Sequence, residues 1–151
     1  MNSSKVITYE SGEYRMDFEK LRVFRQNRNL FCKKLGMMVE EIQLGYARVI
    51  KTIKADDVNP IGRPHGGVYF TMADHAAGTA MASHGYQAVT LDCSFHFFRA
   101  ANMGDTLTAV AQEVKYGQTI SVFDVEIKSQ IGALLAKGTF TFFRLDEAID
   151  I

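Results

Sequence analysis

The chain has 151 residues, the length of one domain. Apolar residues make up 47% and charged residues 23%, and 17 basic residues offset 17 acidic ones to a net charge of zero. Nucleic-acid binding through bulk charge is thereby disfavoured, no apolar run approaches the roughly 18 residues that span a bilayer, and Met1 to Glu10 lacks the apolar centre of a signal peptide. Membrane insertion is therefore not expected, and a cytoplasmic location is. Two cysteines, Cys32 and Cys93, form neither a disulfide framework nor a metal cluster, and are expected to be buried thiols in a reducing compartment.

In chain order, residues 1–15 are polar and are expected to fray. Residues 17–34 predict one amphipathic helix, with Asp17 as cap and Phe18, Leu21, Phe24 and Phe31 on its apolar face. Lys20, Arg22, Arg25, Arg28, Lys33 and Lys34 fall on the other face. A solvated surface accounts for that face; the alternative is attraction of an anionic ligand such as a nucleotide phosphate. Residues 37–54 predict two strands with a turn at Leu44-Gly45, and Ala47, Val49 and Ile53 alternate with Arg48, Thr52 and Lys54 in the second. A loop dense in turn formers follows, from Asn59 to Gly67.

Gly67 to His84 predicts a long helix that is apolar or small on almost every side, so burial on all sides is expected, inside a curved sheet. From Val89 a clean period of two follows. Val89, Leu91, Cys93, Phe95 and Phe97 alternate with Thr90, Asp92, Ser94 and His96, which predicts a strand with one buried face. Strands over 106–114, 119–128 and 133–143 follow short turns at Met103-Gly104-Asp105, Tyr116-Gly117-Gln118 and Gln130-Ile131-Gly132, connections that suit antiparallel neighbours.

Asp74 interrupts the apolar helix about two turns in, too far to cap it. Its neighbours Phe70, Thr71, Ala77 and Gly78 cannot neutralise a carboxylate, and a buried unpaired charge is costly. Two readings stand: a hydrogen bond to a hydroxyl or an exposed stripe, or a general base or nucleophile with a raised pKa. His75 suits a core or interface position, and His84 complements the helix dipole at its end. At the helix start, His65-Gly66-Gly67 leaves backbone N–H groups open to close approach, a site for a phosphate or a developing oxyanion. No Lys-Ser/Thr pair follows, so triphosphate binding is disfavoured. Asn59 either orients a carbonyl or holds the loop.

Together these residues resemble the hotdog-fold acyl-CoA thioesterases, in particular the phenylacetate-pathway branch. The match covers roughly residues 35–145, and its specific part is Asn59, then His65-Gly66-Gly67, then Ala73-Asp74, with Asp74 nine positions after His65. The resemblance implies an α+β hotdog fold over 1–151, an antiparallel sheet around the long helix. It also implies acyl-CoA hydrolysis without metal or other cofactor, coenzyme A being part of the substrate. The carboxylate matching Asp74 activates water or attacks directly, the N–H matching Gly66 polarises the thioester carbonyl, and Asn59 assists there. Thr90 is the candidate for orienting the water. His65, Gly67 and Arg99 are candidate substrate contacts. Arg63-Pro64 and His96 depart from the family pattern.

The spacing points to a composite site independently. Gly66 and Asp74 are eight residues apart, roughly 12 Å along a helix axis. Both must act within a few ångströms of one carbon. One straight helix does not readily supply both; two antiparallel helices across a two-fold axis do. A homodimer or a dimer of dimers is therefore expected. The rivals are an acyl-thioester dehydratase or hydratase of the same fold, and a non-catalytic acyl-CoA-binding module.

Overall fold

A computed structural model describes residues 7–8 and 14–151 of the chain. Ile7–Thr8 (β1) and Tyr14–Arg15 (β2) pair as a short antiparallel ribbon. These four residues are paired, against the fraying expected over 1–15; residues 1–6 and 9–13 lie outside the described residues.

Asp17 caps the first helix as predicted: its Oδ1 accepts the N–H groups of Glu19 and Lys20, each at 3.1 Å. The single helix expected over 17–34 is two, Phe18–Arg28 (α1) and Leu30–Lys34 (α2). The break is at Asn29, whose ψ of 81° is not helical and whose side chain accepts the Cys32 N–H to start the second helix. The break also rotates the apolar pattern. Leu21 is fully buried and Phe18 and Phe24 pack on the core, whereas Phe31, beyond Asn29, is 63% exposed.

Met38–Gln43 (β3) and Tyr46–Thr52 (β4) form the predicted hairpin. Its turn requires Gly45, which has φ +68° and lies where any Cβ would collide with Glu113. After a 3₁₀ turn at Ala55–Asp57, the central helix Gly66–Ala82 (α3) runs unbroken, followed by Tyr86–Phe97 (β5), Thr106–Lys115 (β6), Ile120–Lys128 (β7) and Leu134–Ala148 (β8).

The six-stranded sheet has the order β3-β4-β6-β7-β8-β5 and is antiparallel throughout. It curls around α3, as the expected α+β hotdog architecture requires. The turn at Met103-Gly104-Asp105 does not join neighbours. Asp105 and Gly104 exchange backbone hydrogen bonds with Ile53, each at 2.9 Å, which docks this segment on the end of β4. β6 therefore pairs with β4, and β5 lies at the far edge against β8.

The core lies between α3 and the concave face of the sheet. Ala73, Ala76, Ala77 and Ala80 of the helix and Ala109 and Ala111 of β6 are all fully buried in this core, and their small side chains suit close approach of helix and sheet. Burial is not complete around α3, contrary to the expectation. Phe70 is exposed and Thr71, Asp74 and Gly78 are half-buried, a stripe at i, i+1, i+4 and i+8 that the chain's own sheet leaves open. β5 likewise differs from the prediction of one buried face. At the sheet edge, Val89, Leu91 and Phe97 are 49%, 59% and 54% exposed. Cys93, on the same strand, is half-buried, whereas Cys32 is buried as expected. Among the described residues no helix is long and apolar enough to cross a membrane.

One buried ion pair fixes the approach to α3. Lys51 on β4 meets Asp57 at 2.9 Å, and both are almost fully buried. The Lys51 ammonium also donates to the Leu35 carbonyl after α2, and Asp57 accepts the Lys54 N–H at 2.7 Å. Asp57→Ala would leave Lys51 buried without its counter-charge and should destabilise the fold by about 3–5 kcal/mol. Chemical denaturation of the variant measures this, and an unchanged midpoint would show that the pair contributes nothing to the fold.

Candidate active site

The loop before α3 is held by its own polar atoms. Asn59 Oδ1 accepts the N–H groups of Ile61 and Arg63, at 3.1 and 3.0 Å, and Val58 bridges to Pro64. This answers half of the question that Asn59 poses: its side-chain oxygen holds the loop. The Asp57 carbonyl then accepts the His65 N–H at 2.8 Å, so the buried Lys51–Asp57 pair sets the point where the helix begins.

His65 is the helix N-cap. Its Nδ1 accepts the Gly67 N–H at 2.8 Å. Gly67 was a candidate substrate contact, but its N–H already has this partner, and the ring of His65 is the cap that provides it. The Gly66 N–H has no protein acceptor among the described residues and is half-exposed. A Cβ at position 66 would sit 3.4 Å from the Phe97 ring, which packs directly against this glycine. The helix start thus presents one open donor beside an aromatic ring, with the positive end of the dipole behind it.

Two turns further along, Asp74 lies on the open stripe. Thr90 Oγ1, on β5, donates to Asp74 Oδ1 at 2.6 Å. The premise of an unpaired, buried carboxylate therefore does not hold: Asp74 is half-buried and hydrogen-bonded to a hydroxyl. It is still aimed outward, into a cavity of about 350 Å³ whose wall includes Thr90, Arg25, Asn29, His75 and the rings of Phe70 and Phe142. Asp74 and Thr90 are brought together there. Gly66, Gly67, His65, Asn59 and Arg99 are not on that wall. Arg99 follows β5 with its side chain exposed, and its N–H donates to the Leu135 carbonyl at 3.1 Å.

The groups behind Asp74 are neutral or cationic. His75 is buried, and burial together with the charge of Arg25 holds its pKa down at about 3. Asn29 Nδ2 donates to its Nδ1 at 3.2 Å, which places the ring proton on Nε2. This is the core histidine that its position suggested. The Cys32 thiol is pushed up to about 11, chiefly by burial, and is not a nucleophile at neutral pH. Among the described residues no cluster of three or more His, Cys, Asp or Glu side chains is arranged to hold a metal ion.

Arg25 is not on the solvated basic face where the spacing of cations placed it. It turns inward from α1, lines the cavity, and donates through Nε to Thr79 Oγ1 of α3 at 3.2 Å. The signal lay in the spacing of its neighbours: Arg25 is four residues after Leu21 and seven after Phe18, on the stripe that packs against the core. Lys20, Arg28, Lys33 and Lys34 are exposed, as expected.

Comparison with known proteins agrees with this architecture. The model of the thioesterase superfamily matches residues 62–136, from the loop before α3 into β8. Acyl-coenzyme A thioesterase PaaI of Escherichia coli is 39% identical over 99 residues, which cover 66% of this chain and 71% of that protein. The solved structure of the E. coli PaaI protein from the phenylacetic acid degradation operon superposes with a TM-score of 0.84 at 31% identity, over 87% of this chain and 96% of that one. A hypothetical thioesterase of Streptococcus pneumoniae, solved with coenzyme A, gives 0.72 at 32% identity, over 75% and 88%. Solved variants of that protein carry alanine in place of an aspartate and of a threonine sixteen positions later, the separation of Asp74 and Thr90. By sequence and by fold, the chain belongs to the thioesterase superfamily, in its PaaI-like hotdog branch.

Proposed function

We propose that the protein hydrolyses acyl-CoA thioesters to the free acid and CoA. The observation that carries this reading is the 2.6 Å hydrogen bond from Thr90 to an Asp74 that opens onto a cavity. In the base form of the reaction, Asp74 takes a proton from a water that attacks the thioester carbon. The C–S bond then breaks, and the CoA thiolate leaves and is protonated. In the nucleophile form, Asp74 attacks that carbon itself and water releases the acyl group afterwards. Thr90 fixes the carboxylate oxygen it touches and leaves the other free for either task. The open Gly66 N–H is suited to polarising the carbonyl oxygen, with Asn59 Nδ2 as a second donor from the loop.

Gly66 and Asp74 belong to one unbroken helix, so they are roughly 12 Å apart along its axis. We therefore assign the Gly66 donor and the Asp74 carboxylate of each site to different subunits of a homodimer. The open stripe of α3 and the exposed Val89, Leu91 and Phe97 of the β5 edge supply an apolar face for that contact. Arg99 and the exposed cations of α1 and α2 are the candidates for the CoA phosphates.

A hydratase or dehydratase would need a histidine with a carboxylate partner. His65 is committed to capping α3 and His75 is held neutral beside Asn29; the His84–Glu113 pair lies at the opposite end of α3. These placements favour hydrolysis. They do not favour a module that binds the thioester without reaction either, since a hydroxyl-fixed carboxylate adds nothing to thioester binding.

Light scattering combined with a thiol-release assay should find a smallest active species of about 34 kDa, twice the 16.9 kDa chain. A fully active monomer would rule out the shared site.

Asp74→Asn keeps the size of the side chain and an oxygen that accepts from Thr90, but removes the charge. The rate of hydrolysis should fall by about 10²–10⁴ if Asp74 is a base, and further if it is the nucleophile. Affinity for a CoA ester and melting temperature should change little. A folded Asp74→Asn protein with near-native kcat would overturn the mechanism.

A further inference from the structure

Arg25 is a cation that the proposed chemistry does not use. Its side chain is half-buried at the cavity wall, and its one protein hydrogen bond among the described residues runs from Nε to Thr79. No carboxylate of the described residues lies within ion-pair distance of it. Asp74, whose charge it feels, is engaged with Thr90 instead. Burial pulls its pKa down from the ordinary arginine range. A guanidinium partly removed from water and without a direct ion pair is unfavourable.

The fold nonetheless makes room for it. Gly78 lies directly beneath the guanidinium, and a Cβ there would come within 3.3 Å of Nη2. Glycine inside a helix is less favourable than alanine, and this helix is otherwise rich in alanine. Gly78 is one turn beyond Asp74, roughly 6 Å along the axis. Nη2 therefore lies beside the cavity-lining Gly78, about one helix turn along α3 from Asp74, and neither Nη group has a protein hydrogen-bond partner among the described residues.

Resting on the thioesterase reading above, we propose that Arg25 is a specificity residue that binds a carboxylate at the far end of the acyl group. The fork of a guanidinium matches the two oxygens of a carboxylate, and only an anionic group both fills it and compensates its charge. Asn29, also on the wall, gives one amide N–H to His75 and keeps the second. The acyl groups that fit are short ω-carboxyacyl chains and carboxylated aryl groups, the latter packing against Phe70 and Phe142. Arg25 acts on substrate choice and takes no part in the bond changes.

The test uses the full chain and two matched pairs of thioesters, glutaryl-CoA against pentanoyl-CoA and para-carboxyphenylacetyl-CoA against phenylacetyl-CoA, followed by thiol release. The native protein should favour the carboxylated member of at least one pair by about tenfold or more in kcat/KM, the effect of one charge-assisted contact; which pair shows it identifies an aliphatic or an aryl acyl group. In Arg25→Met that ratio should fall to one or below, and in Arg25→Lys, which keeps the charge but not the fork, it should be intermediate. Hydrolysis of the uncharged thioesters with no preference in either pair would overturn the role of Arg25 and leave the thioesterase reading intact. A preference that survives Arg25→Met would do the same. Failure to hydrolyse any of the four thioesters would overturn both.

Discussion

The structure depends on how much of one helix a six-stranded sheet can cover. α3 is built almost entirely of apolar and small side chains, so it has to be buried. The curled sheet covers most of its circumference and stops at the stripe of Phe70, Thr71, Asp74 and Gly78. The placement of Asp74, Thr90 and Arg25 around one cavity follows from that gap. Asp74 is tolerated in the helix because it lies in the gap and not under the sheet. The cavity is the space between the gap, α1 and β5. The uncovered apolar edge of β5 flanks the same opening, so one surface is both incomplete as a core and equipped as a site.

The start of α3 shows the same economy of placement. A helix N-terminus offers several orphan N–H groups, and a ligand can use only those the protein leaves free. His65 takes the Gly67 N–H and leaves that of Gly66. Which group remains is decided by where the helix begins, and that is fixed from below by the Asp57 carbonyl and the buried Lys51–Asp57 pair. The ion pair thus anchors the residue whose carbonyl holds His65 at the helix start. Asn59 contributes by closing the loop on itself through two backbone N–H groups.

Much of this was legible in the sequence. The period of two in β4 and β5, the turns around Gly45 and Gly117, and the all-apolar α3 are local patterns, and the elements follow them. The motif residues Gly66, Asp74 and Thr90 could be singled out because each breaks its local pattern or matches a family spacing. What was not legible is set by contacts between elements. The pairing of β6 with β4 depends on backbone bonds from Gly104 and Asp105 to Ile53, which no periodicity encodes. The exposure of Val89 and Leu91 depends on β5 being an edge, a property of the whole sheet. The break at Asn29 could have been suspected, since asparagine favours caps over helix interiors, but the apolar spacing of Phe31 with Phe24 concealed it.

Arg25 marks where the reading of a sequence by residue class fails. Five other cations of α1 and α2 share its chemistry, and hydropathy alone assigns all six to solvent. What separates Arg25 is geometry: it shares a helix face with Leu21, and opposite it α3 carries Gly78 and Thr79, a gap and a hydroxyl acceptor. The two helices are complementary at this point, and neither sequence segment shows it alone. The groups suited to chemistry lie on α3 and β5, which the sheet holds rigidly. The group suited to reading the acyl chain arrives on α1, an element outside the sheet. Leu21 anchors α1 in the core, and Arg25, one turn further along the same face, meets α3 only through Thr79 and the space above Gly78, so a change at position 25 leaves the Asp74–Thr90 hydrogen bond untouched.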